Sequence, residues 1–147
     1  MFVIYLIILI VVVFILCKFN KEPYCMLEVK KRYNIFLDYV NDTANKIPDR
    51  FKVLRRRILL SGYTRSMSGD LGWNSNKGDE ISICIDGHPN QAFHILIHEL
   101  AHSTVTEYNH SKAFWDNFEE LRKLCERIGI YTPIDNKEKF CGRYIRD

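Results

Sequence analysis

The sequence predicts an α+β chain: an N-terminal helix that spans a membrane, then one domain in which a small sheet packs on a histidine-bearing helix. Three stretches carry this prediction. Residues Met1 to Cys17 form an unbroken apolar run. Glu80-Ile81-Ser82-Ile83-Cys84-Ile85 alternates with the period of a half-buried strand. Phe93 to His102 is largely apolar and places His98 and His102 four residues apart, on one face of a helix.

The first run is at the lower length limit of a spanning helix, since crossing the hydrocarbon core takes about 20 apolar residues and at least about 17. No basic side chain precedes it, and Cys17-Lys18-Phe19-Asn20 lacks the small residues of a cleavage site. An uncleaved single-pass anchor over residues 1–19 is expected, contacting the membrane through residues 2–17. Lys18, Lys21, Lys30, Lys31 and Arg32 all follow it, which predicts a cytoplasmic location for the remainder. The 147 residues leave room for one further domain, over 20–147.

Within that domain, Val29, Tyr33, Phe36, Leu37 and Val40 recur at helical spacing, predicting an amphipathic helix from Tyr24 to about Asn45 that ends before Pro48. A short helix is expected over Phe51–Leu59. Arg55-Arg56-Arg57 within it reads as a solvated face. With a net charge of only +3, no nucleic-acid partner is expected. Residues 61–78 are polar and glycine-rich and suit turns with one or two short strands. In Glu80–Ile85, the isoleucines face the core. Asp86 to Asn90 forms the turn into the histidine helix, with Asn90 as N-cap and His88 exposed. Phe114, Phe118, Leu121, Leu124, Cys125 and Ile128 give a later helix its apolar face, and Gly129 stops it. The segment from Tyr131 to Asp147 reads as irregular. Five cysteines, an odd number without a Cys-x-x-Cys pair, suggest neither a disulfide framework nor a four-cysteine metal site, and favour a reducing compartment.

The chemistry lies in His98-Glu99-Leu100-Ala101-His102. Two imidazoles on one helix face can hold one metal ion, and Glu99 beside them can reach a water on that ion without being a ligand. The bland alternative is a core helix with two histidines, a pattern that chance supplies in roughly one chain in a few hundred of this length. Catalytic zinc takes three protein ligands and leaves a position open. His110, at the start of the next helix after a seven-residue loop, is the expected third. Glu119, Glu120 and, more weakly, Glu107 are competitors. His94, one turn before His98, is expected behind the ligands, facing a substrate or satisfied within the core, and not as a ligand. A third histidine six residues after the second is excluded, because that position is Tyr108, and no methionine follows the motif.

His-Glu-Leu-Ala-His, a short loop and then His110-Ser111-x-x-Phe114-Trp115 resemble the small zinc peptidases of the WLM and SprT-like group. A closer resemblance is to predicted metallopeptidases of large DNA viruses, through Asn76-Lys77-Gly78 before an Ile-rich strand with Cys84, Gly129-Ile130-Tyr131, and Cys141-Gly142. It extends from about residue 24 onward. The resemblance implies a minimal zincin-like domain, Zn2+ on His98, His102 and His110, and Glu99 as general base in hydrolysis of a protein or peptide substrate; for a viral chain, the virion membrane would be the anchor's location. The loop before His110 is two residues longer than in the commonest WLM form. The tetrahedral oxyanion would need a further donor, for which Tyr108, Tyr131, Tyr144 and His94 are candidates. An extended substrate would add to the edge of the Glu80–Ile85 strand. The competing expectation is a membrane-anchored virion or scaffold protein whose zinc is structural, its fourth position closed by Cys84 or His94, or vestigial.

Overall fold

The computed structural model describes residues 2–19, 22–64 and 69–147, with the first helix's side chains described between residues 4 and 14. That helix, α1, spans Phe2–Phe19. Its 18 residues rise about 27 Å, against about 30 Å of hydrocarbon to be crossed. Its described side chains, Ile4 to Phe14, are exposed and apolar, and cover only about 16 Å. Among the described residues no helix is long and apolar enough to cross a membrane. The single-pass anchor and the location drawn from it are therefore overturned. Lys18 and Lys21, on which the predicted orientation leaned, lie outside the described side chains.

The α+β architecture follows from Tyr24 onward. Helix α2 spans Tyr24–Asn41 and buries Val29, Tyr33, Phe36, Leu37 and Val40. It stops short of Asn45 because Asp42 turns extended and its carboxylate accepts the Ala44 N–H at 2.9 Å, a local bond that competes with the helix. Asp49–Arg55 is a 3-10 helix that buries Phe51 and Leu54. The three arginines at its end are not simply solvated: Arg55 donates to the Val40 carbonyl, Arg56 to the Gly78 carbonyl and Asp79, and Arg57 to Asn34.

Strands β1 (Leu59–Tyr63), β2 (Gly72–Ser75) and β3 (Glu80–Cys84) form a sheet of order β1-β3-β2, parallel between β1 and β3 and antiparallel between β2 and β3. The expectation that the Glu80–Ile85 strand offers a free edge fails, because β3 is the central strand and both sides of its backbone are paired. It is also buried on both faces: Ile81, Ser82, Ile83 and Cys84 are all inaccessible.

Helix α3 (Pro89–His102) lies across this sheet, flanked by α2 and by α4 (Lys112–Arg127). Its N-cap is His88, not Asn90. The His88 ring accepts the Asn90 N–H, and Gln91 reaches back to the His88 N–H, with Pro89 in the first helical position, where no donor is needed. Asn90 instead exchanges hydrogen bonds with the backbone of Thr132 at 2.7 and 3.0 Å and accepts one from Arg32. Ser111 caps α4, accepting the Phe114 N–H at 3.1 Å. Gly129 ends it with φ +77°, the left-handed conformation that glycine adopts without strain.

The segment after Tyr131 is more ordered than its sequence suggests. Strands β4 (Glu138–Phe140) and β5 (Arg143–Ile145) pair as a hairpin, and a Cys84–Cys141 disulfide fixes it to β3. This corrects the expectation of unpaired cysteines, since the two residues that bond are 57 apart in sequence. Cys25 and Cys125 remain free and buried, and burial pushes the Cys125 thiol up to about 12. Closing a loop of this length stabilises a fold by roughly 4 kcal/mol in the chain-entropy picture. A Cys141→Ser chain should accordingly unfold at lower denaturant concentration by about 2–4 kcal/mol; an unchanged midpoint under oxidising conditions would show that the bond does not form.

Candidate metal centre

Helical periodicity brings His98 and His102 to one strip of α3, and the cap of α4 brings His110 opposite them. One potential ligand atom from each of the three residues lies within 4.8 Å of the others. His98 Nε2 and His110 Nε2 are 3.0 Å apart. Nitrogens bound tetrahedrally to zinc at about 2.05 Å lie about 3.3 Å from each other, so the donor set and its spacing fit such an ion with a position left open. Burial, followed by the neighbouring His102, His110 and His94 charges, holds the His98 imidazole down to about 3. Burial and then His110 and Lys77 lower His102 to about 4. Both rings thus stay neutral, the form a metal requires.

Glu99 is 6 % exposed. Burial raises its carboxyl to about 7, and the Asp70 charge adds to this. It lies in a cleft of about 560 Å³ that the three histidines also line, so an acid of near-neutral affinity for protons sits beside the metal-binding strip. A cationic ligand in the cleft would favour its ionised form.

Two residues without a sequence signal shape this wall. A Cβ on Gly72 would lie 2.8 Å from Ile95 Cγ2 and 3.0 Å from Glu99 Oε1, so β2 approaches the helix this closely only through a glycine. Asn74 donates to the Glu99 carbonyl at 2.7 Å and to Ser103 Oγ at 2.8 Å, and accepts the Gly78 N–H at 2.6 Å. It ties the end of α3 to the β2–β3 turn.

The loop that delivers His110 is held by Lys77, in that same turn with φ +53°. Its ammonium donates to the carbonyls of Val105, Thr106 and Glu107 and sits 4.4 Å from the Tyr108 ring centroid. One cation thus gathers three successive carbonyls of the longer loop between the second and third histidines. Glu107 accepts from Ser111 and Thr106, which places its carboxylate in the cap of α4. Glu119 pairs with Arg122 and Lys123, and Glu120 with Arg50. None of these carboxylates belongs to the histidine cluster.

His94 lies beyond His98 on the other flank. Its Nδ1 is 2.9 Å from the Tyr131 hydroxyl and 3.1 Å from Asp147 Oδ1. Asp147 also accepts from the Tyr131 hydroxyl at 2.7 Å and the Ile134 N–H at 2.6 Å, with Arg122 3.5 Å away. Burial opposes ionisation of Asp147, but the hydrogen bonds from His94, Tyr131 and Ile134 prevail and hold its carboxyl at about 2. Tyr131, buried and engaged with Asp147, does not line the cleft, whereas Tyr108, Tyr144 and His94 do.

The chain is similar to an uncharacterized protein of Acanthamoeba polyphaga mimivirus, 27 % identical over 132 residues that cover 80 % of this chain and 67 % of the relative. This distant likeness links it to a viral protein. No protein-family model matches the sequence, and no solved structure matches it.

Two outcomes follow from the walls. Lys77→Met should weaken zinc binding about tenfold or more, the usual scale for a group that orients ligands, with Lys77→Arg recovering part of it. Equal affinity in a competitive zinc titration would separate the loop from the site. Gly72→Ala should cost about 1–3 kcal/mol of stability through overpacking against Ile95 and Glu99, read from denaturant unfolding; a neutral result would mean that β2 yields without strain.

Proposed function

We propose that the chain is a zinc-dependent metallopeptidase of the minimal zincin-like kind, with His98, His102 and His110 as ligands and Glu99 as general base. The observation that carries the proposal is the convergence of three imidazoles on one cleft with a buried carboxylate one residue from the first of them. When bound there, zinc supplies an acidified water and a polarised substrate carbonyl. Glu99 is placed to take the proton of the attacking water and to pass it to the leaving amine, for which a carboxyl of near-neutral proton affinity is suited. The cleft is roughly the size of a pocket for a few side chains.

The peptide itself would run along β2. Among the described residues this strand is paired on one side only, to β3, and Leu71, Gly72 and Asn74 line the cleft. An extended substrate can add to such an edge by main-chain hydrogen bonds, with Trp115, Tyr108 and Tyr144 around the rim to receive its side chains. The structural-zinc alternative has less to draw on. Cys84 is bonded to Cys141, and His94 lies outside the cluster that the other three histidines form.

Zinc stoichiometry and hydrolysis of a mixed peptide pool, read by mass spectrometry, test the proposal together. The parent should bind one zinc per chain and cut peptides. Glu99→Gln should keep the zinc and lose hydrolysis by about 10²–10⁴-fold. His110→Ala should lose most of its zinc affinity. Full zinc retention in His110→Ala would assign the third ligand elsewhere, and a folded parent that binds no zinc would reject the peptidase.

A further inference from the structure

We propose that His94 is a catalytic residue of this site, donating a hydrogen bond from Nε2 to the oxyanion that forms on the substrate carbonyl, and that Asp147 is its positioning residue. The inference rests on the peptidase reading and adds to it the group that stabilises the transition state. Helix geometry places it. Viewed down α3, His94 lies about 40° to one side of His98, and Glu99 about 100° to the other. Base and donor therefore flank the metal-binding strip from opposite sides: Glu99 against β2, His94 against α4 and the segment after it. A carbonyl attacked from the Glu99 side would develop its negative charge facing His94.

The ring is fixed in a way that the alternative donors are not. His94 Nδ1 meets Asp147 and the Tyr131 hydroxyl, and Phe118 packs edge-on at 5.5 Å between ring centroids. The single proton of the Tyr131 hydroxyl is directed at Asp147, so Nδ1 is the donor toward the carboxylate. Every fully buried side-chain nitrogen and oxygen among the described residues has a hydrogen-bond partner. Among the described residues no partner is recorded for Nε2 of His94, and His94 lines the cleft, so Nε2 is the ring atom that reaches it. The proposed role places a proton on each ring nitrogen, with Nδ1–H toward Asp147 and Nε2–H toward the cleft. Tyr131 is withdrawn behind it. Tyr108 is 81 % exposed and Tyr144 64 % exposed; each holds its ring against a lysine rather than in a buried frame. A donor aimed in advance at the developing charge is worth about 10²–10³-fold in rate, whereas one that must be ordered at the moment of reaction is worth far less.

The test uses the zinc-loaded full chain, a peptide recovered from the mixed pool, and the phosphinic analogue of that peptide, whose anionic oxygens mimic the tetrahedral oxyanion. His94→Gln and His94→Ala should keep full zinc content and a near-parental KM, lose about 10²–10³-fold in kcat, and lose affinity for the analogue by a similar factor. Asp147→Asn, with the imidazole retained, should show the same pattern to a smaller extent. Should the His94 variants not fold, the parent decides alone: nitrogen-15 spectra of its histidine rings should show a protonated His94 Nε2 that shifts on addition of the analogue. Folded, zinc-loaded His94 variants with parental kcat, or a His94 ring signal indifferent to the analogue, would overturn the assignment. A parent that binds zinc but cuts no peptide would instead reject the peptidase reading, and the role of His94 with it.

Discussion

A helix that carries two imidazoles and a carboxylate in its last turns can be buried only if everything polar on it is either paired or gathered on one open strip. Helix α3 satisfies this. Phe93, Leu96, Ile97, Leu100 and Ala101 are inaccessible, filling the space against the sheet and the flanking helices, while His98, Glu99 and His102 collect on the cleft side. Helices α2 and α4 and strands β2 and β3 pack directly on that helix. The sheet supports it from below, α4 closes the side from which His110 enters, and the β4–β5 hairpin contributes Arg143, Tyr144 and Ile145 to the remaining wall. Asn74, bonded to a carbonyl of the helix and to Ser103 just beyond it, ties the carboxylate's own backbone to the edge strand.

The cleft is consequently built from parts far apart in sequence, each fixed by a different interaction. The third histidine depends on a lysine some thirty residues upstream. The flank opposite Glu99 depends on a carboxylate at position 147, itself held by His94, Tyr131 and the Ile134 N–H, with Arg122 nearby. Such dispersed support suits a site that must resist reorganisation, because each side chain is oriented by the folded frame and not by the ligand.

Much of this was legible in the residues, and the limits have physical causes. The face of α2, the span of β3, the strip on α3, the start of α4 and the stop at Gly129 all obey short-range periodicities or capping chemistry. What failed was non-local or dependent on counting. Strand order is a tertiary property, so nothing in Glu80–Ile85 announced that it is central. Cys84 and Cys141 meet only because the hairpin folds back, and the hairpin has strands of three residues, too short for a periodic signal. Asn90 resembled a cap, but its neighbour Pro89 fits the first helical turn and moved the cap to His88. The apolar run at the start has an anchor's composition over seventeen residues, but no described helix is long and apolar enough to cross a membrane. In the cleft, the histidines and Glu99 were visible as a motif, whereas Gly72, Asn74, Lys77 and Asp147 matter through contacts that no spacing encodes.

The bond between Cys84 and Cys141 has a topological consequence. It closes a covalent ring that contains α3, α4 and all three histidines of the cluster. The loop between His102 and His110 is part of that ring, so a single peptide cut there divides the polypeptide between His98 and His110 without releasing either half. The nicked molecule would migrate as one species until its sulfurs are reduced, and only then as two. Its histidine-bearing halves would stay tethered through the crosslink, at an effective concentration set by that tether and not by the loop.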